Sequence, residues 1–213
     1  MQLIIRHILK LLLFIIIIMP LTVLNSHAQT GPGGVGNSST NRLWLKADTG
    51  VYRDAGITPA SNGNSVRRWN DFSGNNNHAN QANESYRPFF QTGIINGEPA
   101  LEFFGNDFID PGSLGISGNS GFSFVVVFRP KTYDEGNIAS GNGDYIIDRT
   151  TLTNNLTSLK FINPAKYCFQ KRDNNNNGIN TSPVSVSSVT TSSFTLISYM
   201  RESPRTYYRL FVN

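Results

Sequence analysis

Phe122-Ser123-Phe124-Val125-Val126-Val127-Phe128 is the stretch that decides the fold class of this chain. Apart from one serine it is wholly aromatic and β-branched, which suits a pleated surface, and its near-continuous apolarity predicts a strand buried on both faces. Pro130 ends it, because proline brings no amide proton to a ladder. Outward in both directions the same rhythm repeats. Further strands are expected at Leu43 to Ala47, Val66 to Asn70, Ala100 to Phe104, Tyr145 to Asp148, Leu156 to Ile162, Tyr167 to Gln170, Phe194 to Met200 and Tyr207 to Val212. Between them lie spacers such as SNGNS, SGNNNHAN, NGEP and NNNNG, rich in residues that take positive φ or bond their own backbone. No eleven-residue window holds a 3.6-residue period, so almost no helix is expected. Many short strands without alternating helices predict an all-β, two-sheet antiparallel sandwich.

The ends of the chain set its organisation. Arg6 and Lys10 precede an unbroken apolar run from Leu11 to Met19, then Pro20 and the small-residue site Ser26-His27-Ala28. This is the pattern of a secretory signal peptide over residues 1–28, and the run is too short to span a bilayer. Residues 29–41, rich in Gly, Ser, Thr and Asn, read as a flexible lead-in. Residues 42–213 carry the sandwich. Cleavage after Ala28 removes two cations and two of the three histidines, so 185 of the 213 residues remain and the formal charge falls from +4 to +2. With the remaining Lys and Arg dispersed, there is no electrostatic footprint for a phosphate backbone, which excludes nucleic acid as the expected partner. No transmembrane segment is expected after cleavage. Cys168 stands alone, which rules out an intrachain disulfide and a cysteine zinc site; between Tyr167 and Phe169 it reads as a small buried hydrophobe.

Four segments, in order, resemble the laminin-G-like (LamG) jelly roll of the concanavalin A-like lectin/glucanase superfamily. Trp69-Asn70-Asp71-Phe72-Ser73-Gly74-Asn75-Asn76-Asn77-His78-Ala79 is similar to the family's W-x-D-x-S-G-N-x-N-x-A turn, and Pro99 to Phe108 to its L-x-F-x-G-x-D-Y strand and turn. Phe122 to Pro130 resembles the core strand F-T-x-x-x-W-x-x-P, and Thr195 to Tyr199 with Leu210 to Asn213 resembles a hairpin whose second strand reads L-Y-V-N-G. The likeness runs from about Leu43 to the last residue. In the family that last strand continues into Gly and more strands, so the resemblance implies a jelly roll cut short at Asn213. It also implies a secreted or cell-surface bacterial protein: an exported, non-catalytic recognition module that binds glycans or surface glycoconjugates in cell adhesion or carbohydrate capture. Two alternatives stay open, a glycoside hydrolase acting on O-glycosyl bonds and a structural or protein-binding adhesin domain.

The residues offer chemistry of uneven quality. Glycoside hydrolysis needs two carboxylates roughly 5 to 9.5 Å apart. No E-x-D-x-E string exists, and Glu102 reads as a solvent-facing strand residue. His78, the one histidine left after cleavage, lies in an Asn-rich turn and reads as solvated; no G-x-S-x-G elbow accompanies it. The G-x-G-x-x-G match at Gly31, Gly33 and Gly36 has no strand before it or helix after it, so it lacks the context that cradles phosphate. Asp173, Asn175, Asn177 and Gly178 fit the first half of a calcium loop, but Val184 occupies the twelfth position, where Glu belongs. Ca²⁺ is thus the one cofactor the sequence admits. Sugar binding needs exposed rings beside hydrogen-bonding side chains. Asn75, Asn76, Asn106 and Asp107 are the polar candidates and Tyr133 the aromatic one, with Tyr86 and Tyr207 behind it; Trp44 and Trp69 are expected in the core.

Overall fold

The computed structural model describes residue 31 and residues 34–116, 121–133, 144–150, 156–162, 165–172, 178–179, 188–201 and 208–212. These residues form twelve strands, all paired antiparallel, and a three-residue 3-10 helix at Glu84–Tyr86. The chain is all-β. Among the described residues no helix is long and apolar enough to cross a membrane. Residues 1–30, which hold the expected signal peptide, lie outside the described residues. Two compact units divide the chain, Met1–Leu114 and Gly115–Asn213.

The first unit is built from short pieces. Strands β1 (Val51–Tyr52), β2 (Arg68–Trp69) and β3 (Ala79–Asn80) form one sheet, with Val51 opposite Trp69 and Trp69 opposite Ala79. Such strands cannot hold a sheet through their ladders alone, so loops carry much of the hydrogen bonding. Val51, Val66, Ala79 and Pro88 are buried apolar side chains of this unit. Strands β4 (Phe89–Ile95) and β5 (Glu98–Glu102) form a hairpin closed by Asn96-Gly97. Both turn residues have positive φ, 51° and 87°, the geometry that matches strand twist and that Asn-Gly adopts readily. Strand β4 was not among the expected strands. Gly93, at φ 67°, sits where the register shifts between Gln91 and Ile95, and that bulge breaks the alternation by which a strand is read.

The second unit holds two sheets. One has the order β10-β9-β8-β7, from β7 (Tyr145–Thr150), β8 (Leu156–Ile162), β9 (Lys166–Arg172) and β10 (Gly178–Ile179). The other has the order β12-β11-β6, from β6 (Phe122–Phe128), β11 (Thr195–Arg201) and β12 (Tyr208–Val212). Leu159, Phe161, Tyr167 and Phe169 of the first sheet meet Ile197 and Tyr199 of the second, and Phe122, Phe124, Val126 and Phe128 pack against this cluster. Edge-on and tilted ring contacts run through it, among them Phe128 on Tyr167 with centroids 5.7 Å apart.

The burial of β6 differs from the expectation. Phe122, Phe124, Val126 and Phe128 point into the core, but Val125 and Val127 are 60% and 52% exposed. Only one face of β6 is covered; the valines of the other face satisfy β propensity without burial. Strand β8 shows the reverse. Its Leu159 and Phe161 face the aromatic core, and Ser158, Lys160 and Ile162, on the opposite face, are buried as well. Cys168, paired with Lys160 across β8 and β9, is buried, as its aromatic neighbours suggest.

Candidate functional site

The Asn-rich turn after β2 is organised by one carboxylate. Asp71 Oδ1 accepts from the backbone N–H of Trp44 at 2.8 Å and of Ser73 at 2.8 Å. Its Oδ2 accepts from the Ser73 hydroxyl at 2.7 Å and from the Asn77 N–H at 3.0 Å. Burial pushes the Asp71 carboxyl up, but these donors, Ser73 foremost, outweigh it and hold the group below its ordinary value. Asn75 donates its amide to the carbonyls of Ser38 and Asn41 and to the Ser73 hydroxyl, and Asn77 donates to the Arg42 carbonyl at 2.7 Å. The turn therefore binds the segment Ser38–Trp44. Asn75, expected to face a ligand, turns its amide to this strap, whereas Asn76 is exposed at φ 59°. His78, expected to be solvated, is half-buried, and its Nδ1 accepts the Asp71 N–H at 3.0 Å.

The turn after β5 is of a different kind. Asp107 Oδ2 accepts the Phe104 N–H at 3.0 Å, and the Asp107 N–H returns a bond to the Phe104 carbonyl at 2.8 Å, which closes a tight loop around Gly105-Asn106. Phe108 then donates its N–H to the Tyr86 carbonyl at 3.0 Å. This backbone lifts aromatic rings outward: Phe103 is 48% exposed and Phe104 and Phe108 are each 52% exposed. Phe104 meets Phe89 edge-on, centroids 6.0 Å apart, and Phe108 lies against Tyr86 at 5.9 Å. Tyr86 and Phe89 are exposed too. Asn106 is exposed at the tip, and on the β4–β5 hairpin Gln91 Nε2 donates to Glu102 Oε2 at 2.9 Å. Glu102, read as solvent-facing, is half-buried in this pair.

Two exposed ring pairs, Phe89 with Phe104 and Tyr86 with Phe108, thus flank a turn that also carries Asn106 and Asp107. Phe103 and Phe104, expected in a strand, lie beyond the end of β5, and Phe89 and Phe108 are not among the expected site residues. A signal was present, since Phe-Phe-Gly-Asn-Asp-Phe sets three rings around a turn-forming centre.

Tyr133 belongs to the second unit. Its ring stacks on Phe161, centroids 4.9 Å apart, and packs on the core of the second unit. Trp44 and Trp69 are half-buried, and Trp69 Nε1 donates to the Lys46 carbonyl at 2.6 Å. The calcium-loop residues Asp173, Asn175 and Asn177, with Tyr207, lie outside the described residues. Among the described residues no three His, Cys, Asp or Glu side chains gather as a metal site. A separate cleft of about 240 Å³ in the first unit is lined by Tyr52, Pro59 and Phe90, with Asp48 and Thr49 at its polar side. No family model, curated protein or solved structure matches this chain.

Proposed function

We propose that this chain is an exported, non-catalytic recognition module of the laminin-G-like jelly-roll type, and that it binds glycans at the turn Phe103–Phe108. The observation that carries the reading is the coincidence of exposed rings and hydrogen-bonding side chains on one loop that Asp107 closes through hydrogen bonds to Phe104. A pyranose offers apolar C–H faces to a ring and hydroxyls to an amide or carboxylate. Phe104 and Phe108 supply the first, and Asn106 supplies the second. Asp107 holds the loop closed with one carboxylate oxygen. A preformed platform loses little entropy on binding. The leader over residues 1–28 and the motif order along the chain support export and the family reading.

The test is a glycan array followed by titration calorimetry with the full chain and the Phe104→Ala and Phe108→Ala variants. Binding to a defined glycan that weakens about tenfold in either variant supports the reading. An empty array with wild-type protein, or unchanged affinity in both variants, removes it.

A second reading, a protein-binding adhesin domain, is favoured by one observation. The outer face of the β12-β11-β6 sheet carries Val125, Val127, Leu196, Met200 and Phe211, all exposed and on neighbouring strands. Exposed apolar surface of that extent on a sheet is characteristic of contact surfaces.

A further inference from the structure

Segment Ser38–Trp44 is held by a knot in which one member changes its hydrogen-bonding character when it is protonated. Asp71 accepts the Trp44 N–H, Asn75 donates to the carbonyls of Ser38 and Asn41, and Asn77 donates to that of Arg42. On the other side of the same peptide, the Asp71 N–H needs an acceptor, and His78 Nδ1 provides it. A backbone N–H can only donate, so His78 must be neutral with its proton on Nε2. An imidazolium has no acceptor at either nitrogen, and ring rotation does not restore one.

We propose that His78 is a pH-sensitive latch: neutral, it keeps the strap Ser38–Trp44 on the first unit, and its protonation loosens the strap. Protonation sets an N–H of the ring against the N–H of Asp71, and His78 must move away. Asn77 is its chain neighbour and donates from backbone to Asp71 and from side chain to Arg42, so the displacement is transmitted directly to the strap. The environment favours the neutral form. Burial lowers the affinity of the imidazole for a proton, Arg68 of β2 lowers it further, and Asp71 opposes them without prevailing. Further charged groups around the knot are Lys46, Arg42 and Asp110. Lys46 lies over the rings of Trp44 and Phe72 and 3.8 Å from Asp48, Arg42 is exposed, and Asp110, beside β3, accepts the Gly112 N–H. The latch therefore opens below the ordinary histidine value of 6.5.

The experiment is amide hydrogen exchange by NMR on the full chain between about pH 7.5 and 5, corrected for intrinsic rates, together with titration of the His78 ring. Protection at Trp44 is expected to fall about tenfold on acidification, the equivalent of one hydrogen bond, while Val66 and Ala79 stay protected. His78→Asn places an untitratable acceptor near the Nδ1 position and should hold the strap at both pH values; His78→Ala should leave it loose at both. Unchanged Trp44 protection in wild type, an equal loss in His78→Asn, or a His78 midpoint above 6.5 would each overturn the latch. If His78→Ala fails to fold, the wild-type and His78→Asn pair decides alone.

Discussion

Trp44 donates its backbone N–H to Asp71 Oδ1 at 2.8 Å across 27 residues of chain. That bond, with three more to the same carboxylate, replaces a ladder that strands of two residues cannot provide. Asp71→Asn keeps one acceptor oxygen and sets an NH2 group against backbone donors. The first unit should lose about 2 kcal/mol, read as a lower urea midpoint. Both tryptophans of the chain, Trp44 and Trp69, lie in this unit, so their fluorescence follows its unfolding selectively.

The same carboxylate sets an acid limit. Its folded pKa lies below the ordinary 3.8, so the unfolded chain binds the proton more readily. The stabilisation is complete above 3.8 and disappears as pH falls through the depressed folded value. Urea midpoints measured from pH 6 to pH 2 should decline less in Asp71→Asn than in wild type. Equal slopes would mean that other carboxylates govern the acid transition.

Phe104→Ala and Phe108→Ala should separate stability from binding. Each ring is 52% exposed, and truncation should cost no more than about 1 kcal/mol in a thermal or urea melt. Under the glycan reading the same changes weaken binding about tenfold, a ratio that calorimetry resolves.

Tyr133→Ala should behave in the opposite manner. Its ring is stacked on Phe161, so its loss should destabilise the second unit by about 2 kcal/mol and leave glycan affinity untouched. Circular dichroism melts with a parallel binding measurement check both halves.

Adjacent valines of β6 provide a direct test of its one-sided burial. Val126→Ala, pointing into the core, should cost about 2 kcal/mol, whereas Val127→Thr, on the outer face, should stay within about 0.5 kcal/mol. Similar losses at both positions would mean that the outer face is covered in solution.

Local chemistry was readable in advance. Phe122–Phe128 forms a strand because its residues favour a pleated backbone wherever they sit, and Asn96-Gly97 closes a hairpin because both residues accept positive φ. The aromatic pair around Cys168 likewise announced its burial. Properties that depend on a second segment were not readable. Val125 and Val127 are exposed since the opposing sheet covers one face of β6, and no local pattern states which faces find a partner. Likewise, Tyr133, expected as a ligand-binding ring, packs against the core of the second unit, and Phe104, expected in a strand, is exposed. His78 acquires its role only when the turn brings its Nδ1 within 3.0 Å of the Asp71 amide while Asp71 grips Trp44 from far upstream. Backbone preference is a short-range property carried by each residue, whereas burial and hydrogen-bond partnership belong to pairs of segments, and folding alone selects those pairs.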